Sequence, residues 1–213
     1  MKVFLAFACL LAGCLAQRPQ PCKSPPLLTG GLSIVSQNEE LFAVARYLYD
    51  AIGERIRLFE VVSLDNQTSF YDILLLYREH VMYQIDDKDR TCQKLPLKDD
   101  FMPLAIPGDA TFVHQVVLGD SSRPAEGLLM NTWTGKLPDQ GGTFLASVTD
   151  FGCIPISFEY QVKPYGWLQT TYFNNVIGIT DPELLIPPSF CEDAEMPADA
   201  EPVDLLSLLK QKN

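Results

Sequence analysis

The sequence predicts an all-β protein, either a sandwich of two facing sheets or one open, curved sheet. Three observations carry that prediction. Ten or so short segments rich in β-branched and aromatic residues recur at regular spacing, helix signals are scarce, and four cysteines follow a secretory leader.

The leader comes first. In MKVFLAFACLLAGCLA, residues 1–16, Lys2 is the only charge and an apolar run from Val3 to Leu11 ends in small residues up to Ala16. The run is well short of the roughly 20 residues that span a bilayer, so we expect a signal peptide cleaved after Ala16, taking Cys9 and Cys14 with it. One β domain over residues 17–193 and an acidic C-terminal tail over 194–213 are expected to follow.

QRPQPCKSPPLLTGG, residues 17–31, sets Cys22 among four prolines. Such a segment makes few ladder hydrogen bonds, and a disulfide anchors it instead. Cys22, Cys92, Cys153 and Cys191 are an even set with no CxxC pair, which points to two disulfides in an oxidising compartment rather than to a zinc or redox motif.

Strands are predicted at 31–36 (GLSIVS), 41–49 (LFAVARYLY), 55–63 (RIRLFEVVS), 70–78 (FYDILLLYR) and 81–86 (VMYQID). A short turn at DAIGE joins the second to the third, and Arg78, Glu79 and His80 turn a hairpin between the last two. Further strands are predicted at 111–119, 127–135, 142–150, 154–162 and 167–179. In ISFEYQV, Ile156, Phe158, Tyr160 and Val162 share a face opposite Ser157, Glu159 and Gln161, so that strand has one wet side; DILLLY is apolar on both faces and should be covered on both. DPELLIPP allows one helical turn before its prolines stop it. In PVDLLSLLKQK, Leu205, Leu206, Leu208 and Leu209 make a short apolar stripe, which fits a docking helix or a frayed terminus.

Chemistry is mostly absent. No nucleophile elbow, P-loop, GxGxxG or HExxH occurs, and a catalytic triad would have to use His80, at a predicted turn, or His114, inside a predicted strand. The formal charge is −11, or −12 once Lys2 is removed, which repels nucleic acid; near the pI of about 4.5 that repulsion vanishes, so an acidic compartment changes how the surface meets anionic partners. DDKDRTCQKLPL begins like an EF-hand loop but has Cys92 where glycine is needed and Lys98 where a bidentate Glu belongs. Asp86, Asp87 and Asp89 stand as candidates for an irregular calcium site, beside the plainer reading of a solvated hairpin end. Asn66, in NQT between two predicted strands, is the expected glycosylation site.

The segments QPCKSPPLLTGGLSIV, RIRLFE, VMYQIDDKDRTCQKLPL, GCIPISFEYQV and DPELLIPPSFCE, in this order and spacing, resemble the ependymin family over roughly residues 19–193. The resemblance implies two stacked, curved antiparallel sheets around a hydrophobic pocket, like bacterial lipoprotein carriers. It implies a non-enzymatic binder of lipids or other hydrophobic molecules, homodimeric, found outside cells or in lysosomes, with no required cofactor. It also implies the disulfides Cys22–Cys153 and Cys92–Cys191. The family's other description, a calcium-binding extracellular glycoprotein in cell-matrix adhesion and neural plasticity, is the alternative. The additional bridge and additional sequons of some relatives are missing here.

Overall fold

The structure, a computed structural model, describes residues 18–37, 41–64, 67–123, 125–137, 142–162 and 166–205. The leader, Asn66 and the last eight residues of the tail lie outside them.

The described residues form eleven strands: β1 (Leu27–Ser36), β2 (Leu41–Asp50), β3 (Arg55–Leu64), β4 (Gln67–Leu76), β5 (Val81–Asp86), β6 (Thr91–Pro96), β7 (Thr111–Gly119), β8 (Gly127–Lys136), β9 (Thr143–Thr149), β10 (Pro155–Val162) and β11 (Gly166–Ile177). The mainly β, antiparallel class read from the sequence is what the structure shows. The two expected layers are halves of one ladder, in the order β6-β5-β4-β3-β2-β1-β11-β10-β9-β8-β7. They are joined because β1 pairs with β2 along one edge and with β11 along the other, from Leu28 opposite Ile177 to Ser36 opposite Leu168.

That junction bends at Gly30 and Gly31, where the β1–β11 register shifts. A Cβ on Gly31 would lie 2.2 Å from the Phe173 ring, and one on Gly30 would lie 2.6 Å from the Asn175 side chain, so the glycines leave room for these two β11 side chains to lie against β1. The sheet curls. Tyr77, just after β4, and Tyr160, on β10, are five ladder steps apart, roughly 24 Å in a flat sheet at about 4.8 Å per step, yet both feel the carboxylate of Asp99.

β6 is the one strand that the sequence reading misses. TCQKLP is polar and ends in proline, a composition suited to an edge, and β6 is the end of the ladder. The predicted turns hold: Glu54 and His80 take positive φ, of 55° and 52°, at their hairpin ends. DPELLIPP makes a single 3₁₀ turn, Pro182–Leu185, capped by the Asp181 side chain accepting from the Glu183 N–H. DILLLY is covered on both faces, with Ile73, Leu74, Leu75 and Leu76 all buried.

Cross-strand pairing sorts the side chains into two faces. The inner face includes Leu32, Ala45, Glu60 and Tyr71, which sit opposite one another in sequence across β1 to β4. It gathers most of the buried apolar residues, from Leu95 at one end to Trp133 at the other. The outer face of β2 to β6 is covered at one end by the 182–191 segment, which packs Leu185 and Cys191 on Leu48, Leu74, Leu76 and Ile85.

Disulfides join Cys22 to Cys153, with Cα atoms 6.0 Å apart, and Cys92 to Cys191, 5.3 Å apart. The first ties the proline-rich entry segment beside β9 and β10. The second ties the outer cover to β6.

Candidate functional site

The inner face is apolar with a few polar groups set into it. At its centre β2 contributes Ala43 and Ala45, small side chains opposite Val62 and Glu60 of β3. Beyond them stand tyrosines: the Tyr47 hydroxyl donates to Asn175 Oδ1 at 2.6 Å, and its ring meets Tyr172 edge-on at 5.7 Å. Burial pushes the hydroxyls of Tyr47 and Tyr172 far above the usual tyrosine range and lifts Tyr77 to about 12, so these groups stay neutral and act as hydrogen-bonding spots in an oily surface.

Glu60 is different. It is 3% exposed, and neither carboxylate oxygen has a hydrogen-bond partner among the described residues. Burial alone raises its carboxyl to about 7. Glu60 is not among the residues singled out from sequence, although a signal is there: in RIRLFEVVS, Ile56, Leu58, Glu60 and Val62 share one face, so Glu60 stands at an apolar position of the alternation.

Hollows open at two places by this face. One, about 550 Å³, lies where the inner face ends at Tyr49, and is lined by Pro26, Ala51, Phe101, Pro103 and Leu104 together with Lys23, Ser24 and Glu54. Its volume is that of a small-molecule site, about 300–1,000 Å³. Phe101 stacks on Tyr49 at 5.8 Å and meets Tyr77 edge-on at 5.3 Å, while the Leu104 N–H donates to the Tyr49 hydroxyl. The other hollow, about 460 Å³, lies by the β1–β11 bend, between Val44, Arg46 and Phe173. Phe101→Ala should lose about 1–3 kcal/mol from the two ring contacts, seen as an earlier urea midpoint with an unchanged slope.

The start of the C-terminal segment reaches this face. Val203 pairs with Leu97 as a short parallel bridge, its N–H donating to Pro96 O and its carbonyl accepting from Lys98 N, each at 2.9 Å. Leu205 packs against the inner-face clusters on both sides of Glu60. Close by, burial raises the Asp99 carboxyl, and Asp204 and Asp100 add to the rise against Lys98.

The other residues singled out from sequence fall elsewhere. His80 and His114 are exposed, one at a hairpin turn and one on β7. Asp86 Oδ1 accepts from the N–H groups of Lys88 and Asp89, both at 3.0 Å, and so organises the β5–β6 turn. Among the described residues no group of three or more His, Cys, Asp or Glu side chains is arranged to hold a metal ion.

The ependymin family model matches residues 65–191. The chain is 33% identical to Ependymin-2 of Carassius auratus over 205 residues, covering 94% of this chain and 95% of that protein. It is 31% identical to Mammalian ependymin-related protein 1 of Mus musculus over 188 residues, covering 87% and 82%. Among solved structures it is similar to an uncharacterized conserved protein from Thermus thermophilus, with a TM-score of 0.48, 10% identity and coverage of 90% and 98%. By the extent of these sequence matches, the chain belongs to the ependymin family.

Proposed function

We propose that this protein is a non-enzymatic, secreted or lysosomal glycoprotein that holds a lipid or other hydrophobic molecule against the inner face of its curled sheet. The observation that carries this reading is the inner face itself. It is a largely apolar face from β6 to β8, ending in a hollow of about 550 Å³ and carrying neutral tyrosine hydroxyls, with no nucleophile paired with a base among the described residues. Burial of an acyl chain there is worth about 0.8 kcal/mol per CH₂.

Two disulfides support passage through an oxidising compartment, and no described helix is long and apolar enough to cross a membrane. A homodimer belongs to the same reading. β7 ends the ladder and exposes Phe112, Val113, Val116, Val117 and Leu118, an edge able to pair with a second chain.

Delipidated protein titrated with the neutral fluorophore N-phenyl-1-naphthylamine should show saturable binding, and vesicles of anionic lipid should bind better at pH 4.5 than at pH 7, where the −11 charge repels them. No saturation at either pH would remove the proposal. The calcium-dependent adhesion reading has less on the molecule to support it, because Asp86 is spent on its own turn; calorimetry with calcium would favour it by showing a stoichiometric heat that the Asp86→Ala, Asp87→Ala, Asp89→Ala variant loses.

A further inference from the structure

Among the described residues, three buried side-chain polar atoms lack a hydrogen-bond partner: both oxygens of Glu60 and Nε1 of Trp133. All three belong to the inner face. Glu60 lies opposite Ala45 and Tyr71, and Trp133, on β8, lies opposite Ala146, whose register leads through Phe158, Thr170, Ile34 and Ala43 to Val62 on the same side as Glu60. Buried polar groups in native proteins are almost always satisfied, and one left open marks a partner that the described residues do not supply. Among the described residues no cation faces Glu60 from β2 or β4, whose opposing residues are Ala45 and Tyr71.

Resting on the ligand-binding reading above, we infer that Glu60 is the polar anchor of the inner face, and that the molecule bound there is an amphiphile whose head donates a hydrogen bond, a primary ammonium above all, followed by a hydroxyl. A carboxylate accepts and never donates, so an ionised fatty acid is the wrong partner for it. An ammonium head supplies both donors and the opposite charge, in a setting where water competes poorly. Ala43 and Ala45, the smallest side chains next to Glu60, are 0% and 3% exposed, so the head group reaches Glu60 by displacing Leu205, which packs against the clusters on both sides of it.

The test uses the full mature protein at pH 8.0 with N-phenyl-1-naphthylamine bound, displaced in turn by dodecylamine, dodecanol and dodecanoate. The three share one chain and differ in the head. Wild type should release the fluorophore at a roughly tenfold lower concentration of dodecylamine than of dodecanoate, with dodecanol between them. Glu60→Gln and Glu60→Leu should lose the amine preference, read as the ratio of the amine and carboxylate concentrations that release the fluorophore, a ratio from which any change in fluorophore affinity cancels; the leucine variant guards against a glutamine that fails to fold. Equal displacement by amine and carboxylate in wild type, or a preference kept in both variants, would overturn the assignment while leaving the binder reading in place. A wild type that binds neither the fluorophore nor any of the three ligands would overturn both.

Discussion

Replacing Arg57 with methionine is expected to remove about 3–5 kcal/mol of stability, the usual loss when one partner of a buried ion pair is taken away. The guanidinium is 4% exposed. Its Nε and Nη2 donate to the two oxygens of Asp72 at 2.8 and 2.7 Å, its Nη1 donates to Leu184 O at 2.8 Å, and it lies 4.7 Å from the Phe59 ring. Burial already lifts the Asp72 carboxyl, and the Arg57 pair only partly offsets it, so without the arginine this carboxylate would have to pick up a proton or drag in water. The loss should spread to the 182–191 cover, which Arg57 and Arg55 both hold by carbonyls. Urea unfolding gives the number. The double change Arg57→Met with Asp72→Leu should recover most of it, since an apolar pair of similar size needs no partner. A single-variant loss under about 1 kcal/mol would show that the pair is not what fastens the cover.

Glu60→Gln is expected to flatten the pH dependence of stability. The folded carboxyl has its pKa near 7 against 4.5 for the free group, so between those values the native state holds a proton that the unfolded chain lacks. Stability from this group is therefore full below about pH 4.5, declines as pH rises, and is gone above about pH 7. A shift of this size is worth about 3 kcal/mol at about 1.36 kcal/mol per pKa unit. Asp72 and Asp99, also raised, tilt the curve the same way. Asp50 tilts it the other way: burial lifts its carboxyl, but the Gly53 N–H, Arg55 and the Ile52 N–H together bring it below the ordinary range. The difference between wild type and Glu60→Gln isolates the one group. Unfolding free energies at pH 5 and pH 8 should differ by about 2.5 kcal/mol more in wild type than in the variant; equal differences would mean that Glu60 is solvated in the native state.

Most strands were legible because their residues are β-branched and aromatic and their ends are punctuated. Val81–Asp86 and Thr111–Gly119 agree with the sequence reading to the residue. β6 was not legible because its polar residues look like the turn they adjoin, and only pairing with β5 makes it a strand. The site was harder to see. Arg57 alternates with apolar residues as a solvated charge would, and what buries it is a segment 127 residues further on. Likewise the joining of two layers into one ladder depends on β1 meeting β11, an encounter between opposite ends of the chain that local pattern cannot announce. Glu60, by contrast, broke the alternation of its own strand and was readable there. The cysteines show the same limit from another side: an even count reads as two disulfides, but spacing leaves three pairings open.

The inner-face account can be tested at the level of individual residues. A dodecylamine carrying a photoactivated diazirine on its chain, bound to the native protein, irradiated and mapped by peptide mass spectrometry, should label inner-face residues near Glu60, such as Tyr71, Tyr47 or Leu58. Excess dodecylamine should suppress that labelling. Label confined to exposed outer-face residues such as Phe42 and Phe70, with nothing protected by competitor, would contradict the account.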